Sequence, residues 1–222
     1  MTELTALAKK KLIIALDGVS ASGKGSVAKL IAKEFNLAYL ETGLLYRAVG
    51  YFMLKSKLTI SQTKELVDIA KNIELDNLQA IDLQNEIVAQ AAAKVAKVKE
   101  VREALLFKQK DFANNPPFNK SGAILDGRDI GTVICPNANL KFFLTAELEI
   151  RAQRRFAQLK GNNARITLEE IKEALKARDE NDKALNNLAL NNKDYIIVDN
   201  SEFSLQQTFI LLKEYIITKC KI

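Results

Sequence analysis

The segment Gly18-Val19-Ser20-Ala21-Ser22-Gly23-Lys24-Gly25-Ser26 has the residue types of a loop that holds phosphate. Its glycines let backbone N–H groups turn inward around phosphate oxygens, and a helix starting at its end adds the partial positive charge of its N-terminus. Lys24 is then placed to reach β- and γ-phosphates, and the hydroxyl of Ser26, just beyond it, to help hold Mg²⁺. The common spacing has Ser or Thr directly after the lysine; here Gly25 intervenes. A chance glycine turn would lack what flanks this one, an apolar run before it and a helical pattern after it. The guanine-reading string Asn-Lys-x-Asp does not occur: the nearest match, Asn191-Asn192-Lys193-Asp194, has the wrong order and spacing. The form of the loop, on a chain of this length, points to a small phosphotransferase.

Such a loop needs a strand to carry it and a helix to follow it. The run Leu12-Ile13-Ile14-Ala15-Leu16 reads as a buried parallel strand, and Val27, Leu30, Ile31 and Phe35 recur at helical spacing after the loop. Further apolar runs lie at Ala123–Leu125, Leu140–Leu144 and Tyr195–Val198, with a weaker one at Tyr39-Leu40. Helical patterns separate them, which predicts a parallel sheet covered on both faces. Thr167 with Glu170, and Ser204 with Gln207, have the spacing of capping boxes that start two of these helices. From about Ser56 to Asn119 the rhythm changes. Ser61–Ile73 predicts one helix and Glu86–Phe112 a single long one, with a short strand around Leu78–Leu83 between them, and Asn114-Asn115-Pro116-Pro117 ends the long helix. The chain therefore divides into a core, 1–55 and 120–222, and a mostly helical insert, 56–119.

Composition narrows the chemistry. None of the 222 residues is histidine, which removes Ser-His-Asp and Cys-His mechanisms and His-ligated zinc, iron and haem. Phosphoryl transfer survives that exclusion, because Lys, Arg and Mg²⁺ suffice to stabilise its transition state. Cys135 and Cys220 are too few for a disulfide framework or a four-cysteine metal site, and are expected to stay reduced in a cytosol. The net charge of +6 suits an anionic partner, although a mildly basic surface accounts for it equally well. The basic MTELTALAKKK leads into an apolar run too short for a signal sequence or a membrane span. A cytoplasmic protein without a membrane partner is expected.

Five blocks stand in order along the chain: Asp17–Ser26, Glu41-Thr-Gly-Leu-Leu-Tyr46-Arg47, Val101-Arg102-Glu-Ala-Leu, Asp126-Gly-Arg128-Asp129-Ile-Gly-Thr-Val133 and Lys176-Ala-Arg178-Asp179. Together they resemble bacterial cytidylate kinases. The resemblance spans nearly the whole chain, and the block from Asp126 is the most specific. It implies an α/β P-loop kinase, a three-layer sandwich with a five-stranded parallel sheet, a helical monophosphate-binding insert and a short lid at about 154–166. It implies transfer of the γ-phosphoryl group of ATP to CMP or dCMP, with Mg²⁺, by a monomer that binds no nucleic acid.

The same resemblance assigns roles. Gly18, Val19, Ser20, Ala21, Ser22, Gly23, Lys24, Gly25 and Ser26 would bind ATP. Thr42, Tyr46, Arg47, Arg102, Arg128, Asp129 and Arg178 would contact CMP, and Asp126, at a strand tip, would bond a Mg²⁺-bound water. Lys24, Arg128, Asp129 and Arg154 would form the catalytic group. Arg102 falls within an apolar helical stripe, where it either snorkels or sends its guanidinium into a cleft toward the acceptor phosphate. Arg151, Arg154 and Arg155 fall on a helix whose buried side is Leu148, Ala152, Phe156 and Leu159. Arg151 and Arg154 lie outside that stripe, where a solvated face is usual; the resemblance instead implies a lid whose arginines reach the phosphates on closure.

Three positions depart from the family pattern: Ala93 stands where a base-bonding serine is usual, Leu185 where a phosphate-binding arginine is usual, and no arginine occurs near Gln84-Asn85, at the end of a shortened insert. All three fall on the acceptor side, so a kinase for another monophosphate such as UMP is the first alternative. A P-loop ATPase acting on nucleic acid is the second; it would need aromatics free to stack, and the 7% present mostly fit buried stripes.

Overall fold

A computed structural model of the protein describes residues 11–74, 83, 86–117, 119–160 and 166–221. Its sheet contains β1 (Leu12–Gly18), β2 (Ala38–Glu41), β3 (Gly122–Asp126), β4 (Leu140–Thr145) and β5 (Tyr195–Asp199), in the order β2-β3-β1-β4-β5. Every pairing is parallel. This is the five-stranded α/β arrangement that the alternating runs imply. β1 lies at the centre and is buried on both faces, which is why it reads as an uninterrupted apolar run. Ile14 and Leu16 turn toward α1 (Lys24–Glu34) and α8 (Leu205–Cys220), meeting Val27, Ile31, Leu212 and Ile216. Ala15, between them, turns to the opposite layer with Leu45 and Val49 of α2 (Thr42–Lys55).

The insert holds α3 (Thr63–Asn72), α4 (Glu86–Val95) and α5 (Lys99–Asn114). The single long helix expected from Glu86 to Phe112 is therefore two, with Val98 extended (φ −80°, ψ 113°) at the start of the second. Two packing demands cause the break. α4 lies against α2 so closely that a Cβ on Gly50 would come 2.7 Å from the backbone nitrogen of Ala92. α5 instead packs on α3 and β3, and one straight rod cannot follow both surfaces. Leu66 and Ala70 of α3, Val95, Val101 and Leu105 share one apolar cluster with Ala15, Ala123 and Leu125 of the sheet. The insert is thus continuous with the core beneath it.

After β3 the chain makes a single π-helical turn, Ile130–Ile134, in which the Ile134 N–H donates to the Asp129 carbonyl and the Cys135 N–H to the Ile130 carbonyl. α6 (Leu148–Lys160) and α7 (Leu168–Leu190) follow β4, and both capping boxes are formed, at Thr167 and at Ser204. Of the strand expected at Leu78–Leu83, only Leu83 is among the described residues; it is buried and in no strand. Gln84-Asn85, the first ten residues and 161–165 of the expected lid lie outside the described residues. Among the described residues no helix is long and apolar enough to cross a membrane.

Candidate active site

The phosphate loop connects β1 to α1 at the C-terminal edge of the sheet, where open α/β sheets collect ligands. Gly23, with φ 89°, caps α1 in the left-handed region, a conformation that glycine takes without steric cost. The ammonium of the buried Lys24 donates to the carbonyl oxygens of Gly18 (2.9 Å) and Val19 (2.6 Å). Burial, and next the nearby Arg128, hold its pKa well below the usual lysine value, with Asp126 acting the other way. The rest of the loop is tied from outside. The Asn200 side-chain amide donates to the Ser22 carbonyl at 2.9 Å, and Arg151 donates to the Ser20 carbonyl at 3.2 Å.

Beside the loop, Glu41 and Asp126 sit opposite each other at the ends of β2 and β3. A Cβ on Gly25 would lie 3.4 Å from Asp126 Oδ2 and 3.9 Å from Glu41 Oε2. The missing side chain leaves a cradle in front of two carboxylates, next to a loop suited to phosphates. Burial, and then the charge of Glu41, push the Asp126 carboxyl up to about 7. This donor set fits Mg²⁺, a hard cation that takes one or two carboxylates and fills its remaining positions with water and phosphate. It is Gly25, not Ser26, whose Cα faces the acids; Ser26 is exposed on α1.

Arg128 spans the loop. Its Nη1 donates to the Gly18 carbonyl (2.5 Å), its Nη2 to Ser20 Oγ (2.6 Å) and its Nε to Asp182 Oδ2 of α7 (2.6 Å). Arg178, one turn before Asp182 on α7, lies 4.0 Å from the same carboxylate. Desolvation, followed by repulsion from Arg128, pushes the Arg178 guanidinium down to about 10, and Arg47 and Arg155 add to that repulsion. Lys24 feels both Arg128 and Arg178. Lys24, Arg128 and Arg178 thus lie together at the loop, with Arg47 and Arg155 near enough for Arg178 to feel their charge, and an anionic group is a ligand that relieves this mutual repulsion. Arg47 is held from the insert side, donating to the Leu83 carbonyl at 2.6 Å.

Next to Arg128, Asp129 faces a cavity of about 220 Å³ whose lining includes Tyr46, Arg102, Leu106, Gln109, Val133 and Ile134. Arg102 Nη2 lies 3.5 Å from Asp129 Oδ2, and its side chain is 47% exposed. Burial, and then Asp17, raise the Asp129 pKa, while Arg102 opposes the shift. Burial and the Asp129 charge likewise raise that of Tyr46. Apolar walls with a few convergent polar groups are what a flat heterocycle needs.

Asp17, Asp182 and Gln109, for which the sequence suggested no role of their own, complete the site together with Arg151. Asp17, fully buried at the end of β1, accepts from the backbone N–H groups of Ile130 and Gly131, at 2.8 Å each, and thereby fixes the π-turn that follows Asp129. Asp182 aims Arg128. Arg151, far from being solvated, is buried and paired at 2.7 Å with Asp179. Gln109 lies in the floor of the cavity. A carboxylate closing the apolar run of β1 was the available signal for Asp17, and a polar residue within the buried series Val101, Leu105, Gln109, Ala113 was the signal for Gln109.

Other expected residues stand elsewhere. Thr42 is buried and donates to the Asp126 carbonyl at 2.8 Å, so it joins α2 to β3 and does not line the cavity. Arg154 donates to Asn200 Oδ1, the Asn200 carbonyl and the Phe203 carbonyl, which seats it on the β5–α8 loop, one residue removed from the phosphate loop because the Asn200 amide also donates to the Ser22 carbonyl. Ala93 is exposed on α4 and is not part of the cavity lining, and Leu185 is half-buried on α7.

Comparison with known proteins places the chain among relatives. The sequence model of the cytidylate kinase family, described as "Cytidylate kinase", matches residues 14–218. A cytidylate kinase of Bartonella henselae is 38% identical over 201 residues, covering 90% of this chain and 92% of that protein. One of Paramagnetospirillum magneticum is 41% identical over 199 residues, covering 89% and 93%. Among solved structures, an uncharacterized protein from Eubacterium ventriosum superposes with a TM-score of 0.52 at 16% identity, over 93% of this chain and 98% of that one, and so shares the fold.

Proposed function

The chain belongs to the cytidylate kinase family, a family of phosphotransferases, and on that premise we propose that it moves the γ-phosphoryl group of ATP to CMP or dCMP, giving ADP and CDP or dCDP. The observation that carries the reading is a juxtaposition: a cavity holding Arg102 and Asp129 lies next to Arg128, which shares the Gly18 carbonyl with Lys24 and the Asp182 carboxylate with Arg178. A base fits the cavity and two sets of phosphates the cations beside it. Asp129, at 3.5 Å from Arg102, repels a phosphate there, so Arg102 faces the base and the acceptor phosphate falls to the arginines beside the loop.

The donor phosphates lie along Gly18–Ser26, and Lys24 turns its hydrogen bonds from the Gly18 and Val19 carbonyls to β- and γ-oxygens. Asp126 and Glu41 would hold Mg²⁺, with the Ser26 hydroxyl near the donor phosphates, and a cation held there would supply charge neutralisation and orientation to the donor. Arg128 and Arg178 neutralise charge between donor and acceptor, and Asp182 fixes the angle of Arg128. The acceptor phosphate is itself a nucleophile near neutral pH, so no protein nucleophile or general base takes part. Arg154 reaches the donor phosphates only by leaving Asn200 and Phe203. Such a reaction serves pyrimidine nucleotide metabolism in the cytoplasm, in keeping with two free cysteines, by a monomer whose partners are its small-molecule substrates.

The test is a coupled ADP-release assay with ATP and a panel of CMP, dCMP, UMP, AMP and GMP. Highest kcat/KM on CMP or dCMP is expected. Highest turnover on UMP would move the chain to the alternative acceptor, and ATP hydrolysis stimulated by RNA or DNA without monophosphate phosphorylation would overturn the reading.

A further inference from the structure

Asn200, between β5 and α8, is 4% exposed, and the two ends of its side-chain amide face different parts of the molecule. Its Oδ1 accepts from Arg154 Nη1 at 3.0 Å. Its Nδ2 donates to the Ser22 carbonyl at 2.9 Å and reaches Thr208 Oγ1 at 3.5 Å. The Thr208 hydroxyl donates to the Ser204 carbonyl at 3.0 Å, so both groups in front of Nδ2 are acceptors. The amide therefore keeps this sense even without Arg154. The main chain seats it as well: the Asn200 N–H donates to the Thr145 carbonyl at 2.9 Å, and the Asn200 carbonyl accepts from the Phe203 N–H at 3.1 Å.

What the amide holds lies inside the phosphate loop. Ser22 is fully buried, and no other donor among the described residues meets its carbonyl. The Ser22–Gly23 peptide is planar and trans, so the direction of that carbonyl fixes the direction of the Gly23 N–H, which points the opposite way. A Cβ on Gly23 would stand 4.0 Å from Asn200 Nδ2, so the amide covers this turn directly. The Gly23 N–H itself makes no hydrogen bond among the described residues. It belongs to the N-cap of α1, next to Lys24, where backbone N–H groups without intrahelical partners receive anions. Resting on the assignment of this loop to the donor, we propose that Asn200 is a positioning residue for the donor nucleotide: by holding the Ser22 carbonyl, it aims the Gly23 N–H at a donor phosphate oxygen. Arg154 is bound to the opposite end of the amide and to main-chain carbonyls, so it can leave for the phosphates without releasing the loop.

The experiment measures kcat and KM with ATP and CMP varied in turn, on the wild type, Asn200→Ala and Asn200→Asp, beside Lys24→Met. Alanine removes the donor, and KM for ATP should rise roughly 2- to 12-fold, the range of one net hydrogen bond. Aspartate keeps an acceptor for Arg154, whose charge favours its ionised form, but it sets an oxygen against the Ser22 carbonyl. Its KM for ATP should rise further, roughly 5- to 150-fold, the span of one buried group left unpaired. KM for CMP should stay unchanged in both variants, a split that a merely structural role would not produce. An unchanged KM for ATP in Asn200→Asp overturns the proposal, and it decides the matter even where the alanine variant does not fold. A parallel rise of both KM values overturns it too. In either case a collapse of turnover in Lys24→Met leaves the donor on this loop, whereas turnover like that of the wild type would take the donor from the loop and the proposal with it.

Discussion

The Tyr195 hydroxyl, at the start of β5, donates to Asp17 Oδ2 at the end of β1 over 2.6 Å, across the intervening β4. The same carboxylate accepts the Ile130 and Gly131 N–H groups, so three donors meet one fully buried acid. Burial raises the Asp17 pKa, and the bonds from Gly131, Tyr195 and Ile130 counter it. The last strand thereby supports the turn that presents Arg128 and Asp129.

Tyr195→Phe should test that support. Removing one donor from a buried carboxyl is expected to cost about 1–3 kcal/mol in urea denaturation. Because the π-turn follows directly on Asp129, kcat/KM for the acceptor should fall along with stability. A variant as stable as the wild type would show that the bond contributes nothing net.

Asp126 makes stability depend on pH. Its carboxyl titrates at about 7 in the fold against 3.8 unfolded, so between those values the folded state holds a proton that the unfolded state has lost. Stability must then fall as pH rises through that window. Asp126→Asn removes the penalty. Its stability relative to wild type, from denaturation without divalent cations, should climb from pH 4 to pH 7 and level off above; a flat difference would mean the acid is not desolvated. Activity should be lost at every pH.

Lys24→Met keeps the stem and deletes the charge. A drop of about 10²–10³ in kcat is expected, or ~3–4 kcal/mol in the barrier. Removing a desolvated ammonium should leave denaturation unchanged or shifted toward greater stability. Turnover within about threefold of wild type, only ~0.7 kcal/mol, would refute the assignment of the phosphate loop.

The arginines should separate by parameter. Arg102→Ala is expected to raise KM for CMP by roughly 10- to 150-fold, the range of a hydrogen bond to or from a charged group, with KM for ATP untouched. Arg154→Ala should mainly lower kcat, since its contact with phosphate is made only after it leaves Asn200 and Phe203. Weaker ATP binding with intact CMP binding in Arg102→Ala would reverse the two sides of the cleft.

How far the sequence could be read follows from what kind of signal each feature leaves. β1, β3 and β4 are buried on both faces and appear as apolar runs; the phosphate loop is local and carries its own spacing. The break between α4 and α5 leaves no such mark, because Val95, Val98, Val101 and Leu105 keep a helical interval across it, and only the competing surfaces of α2 and α3 force the bend. The burial of Arg151 was invisible for a related reason. Periodicity reports the face a helix turns to its nearest neighbour, and two of the partners of Arg151, Ser20 and Asp179, come from other elements. Asp182 and Arg128 likewise meet only through tertiary structure. The blocks from Asp17 and from Asp126 were legible because function crowds their residues together along the chain.

The close seating of Gly50 on Ala92 gives the acceptor cavity two unlike walls. The wall bearing Tyr46 belongs to α2, which is clamped main chain to main chain against α4 and has no slack to give. The wall bearing Arg102, Leu106 and Gln109 belongs to α5, which leaves that clamped pair through residues 96–98 and rests on α3 and β3 instead. In mechanical terms the two jaws are bolted to different members of the frame. Any change of gauge between them must therefore be taken up at the 96–98 joint and where α5 meets α3 and β3, and not in the helix that carries Tyr46.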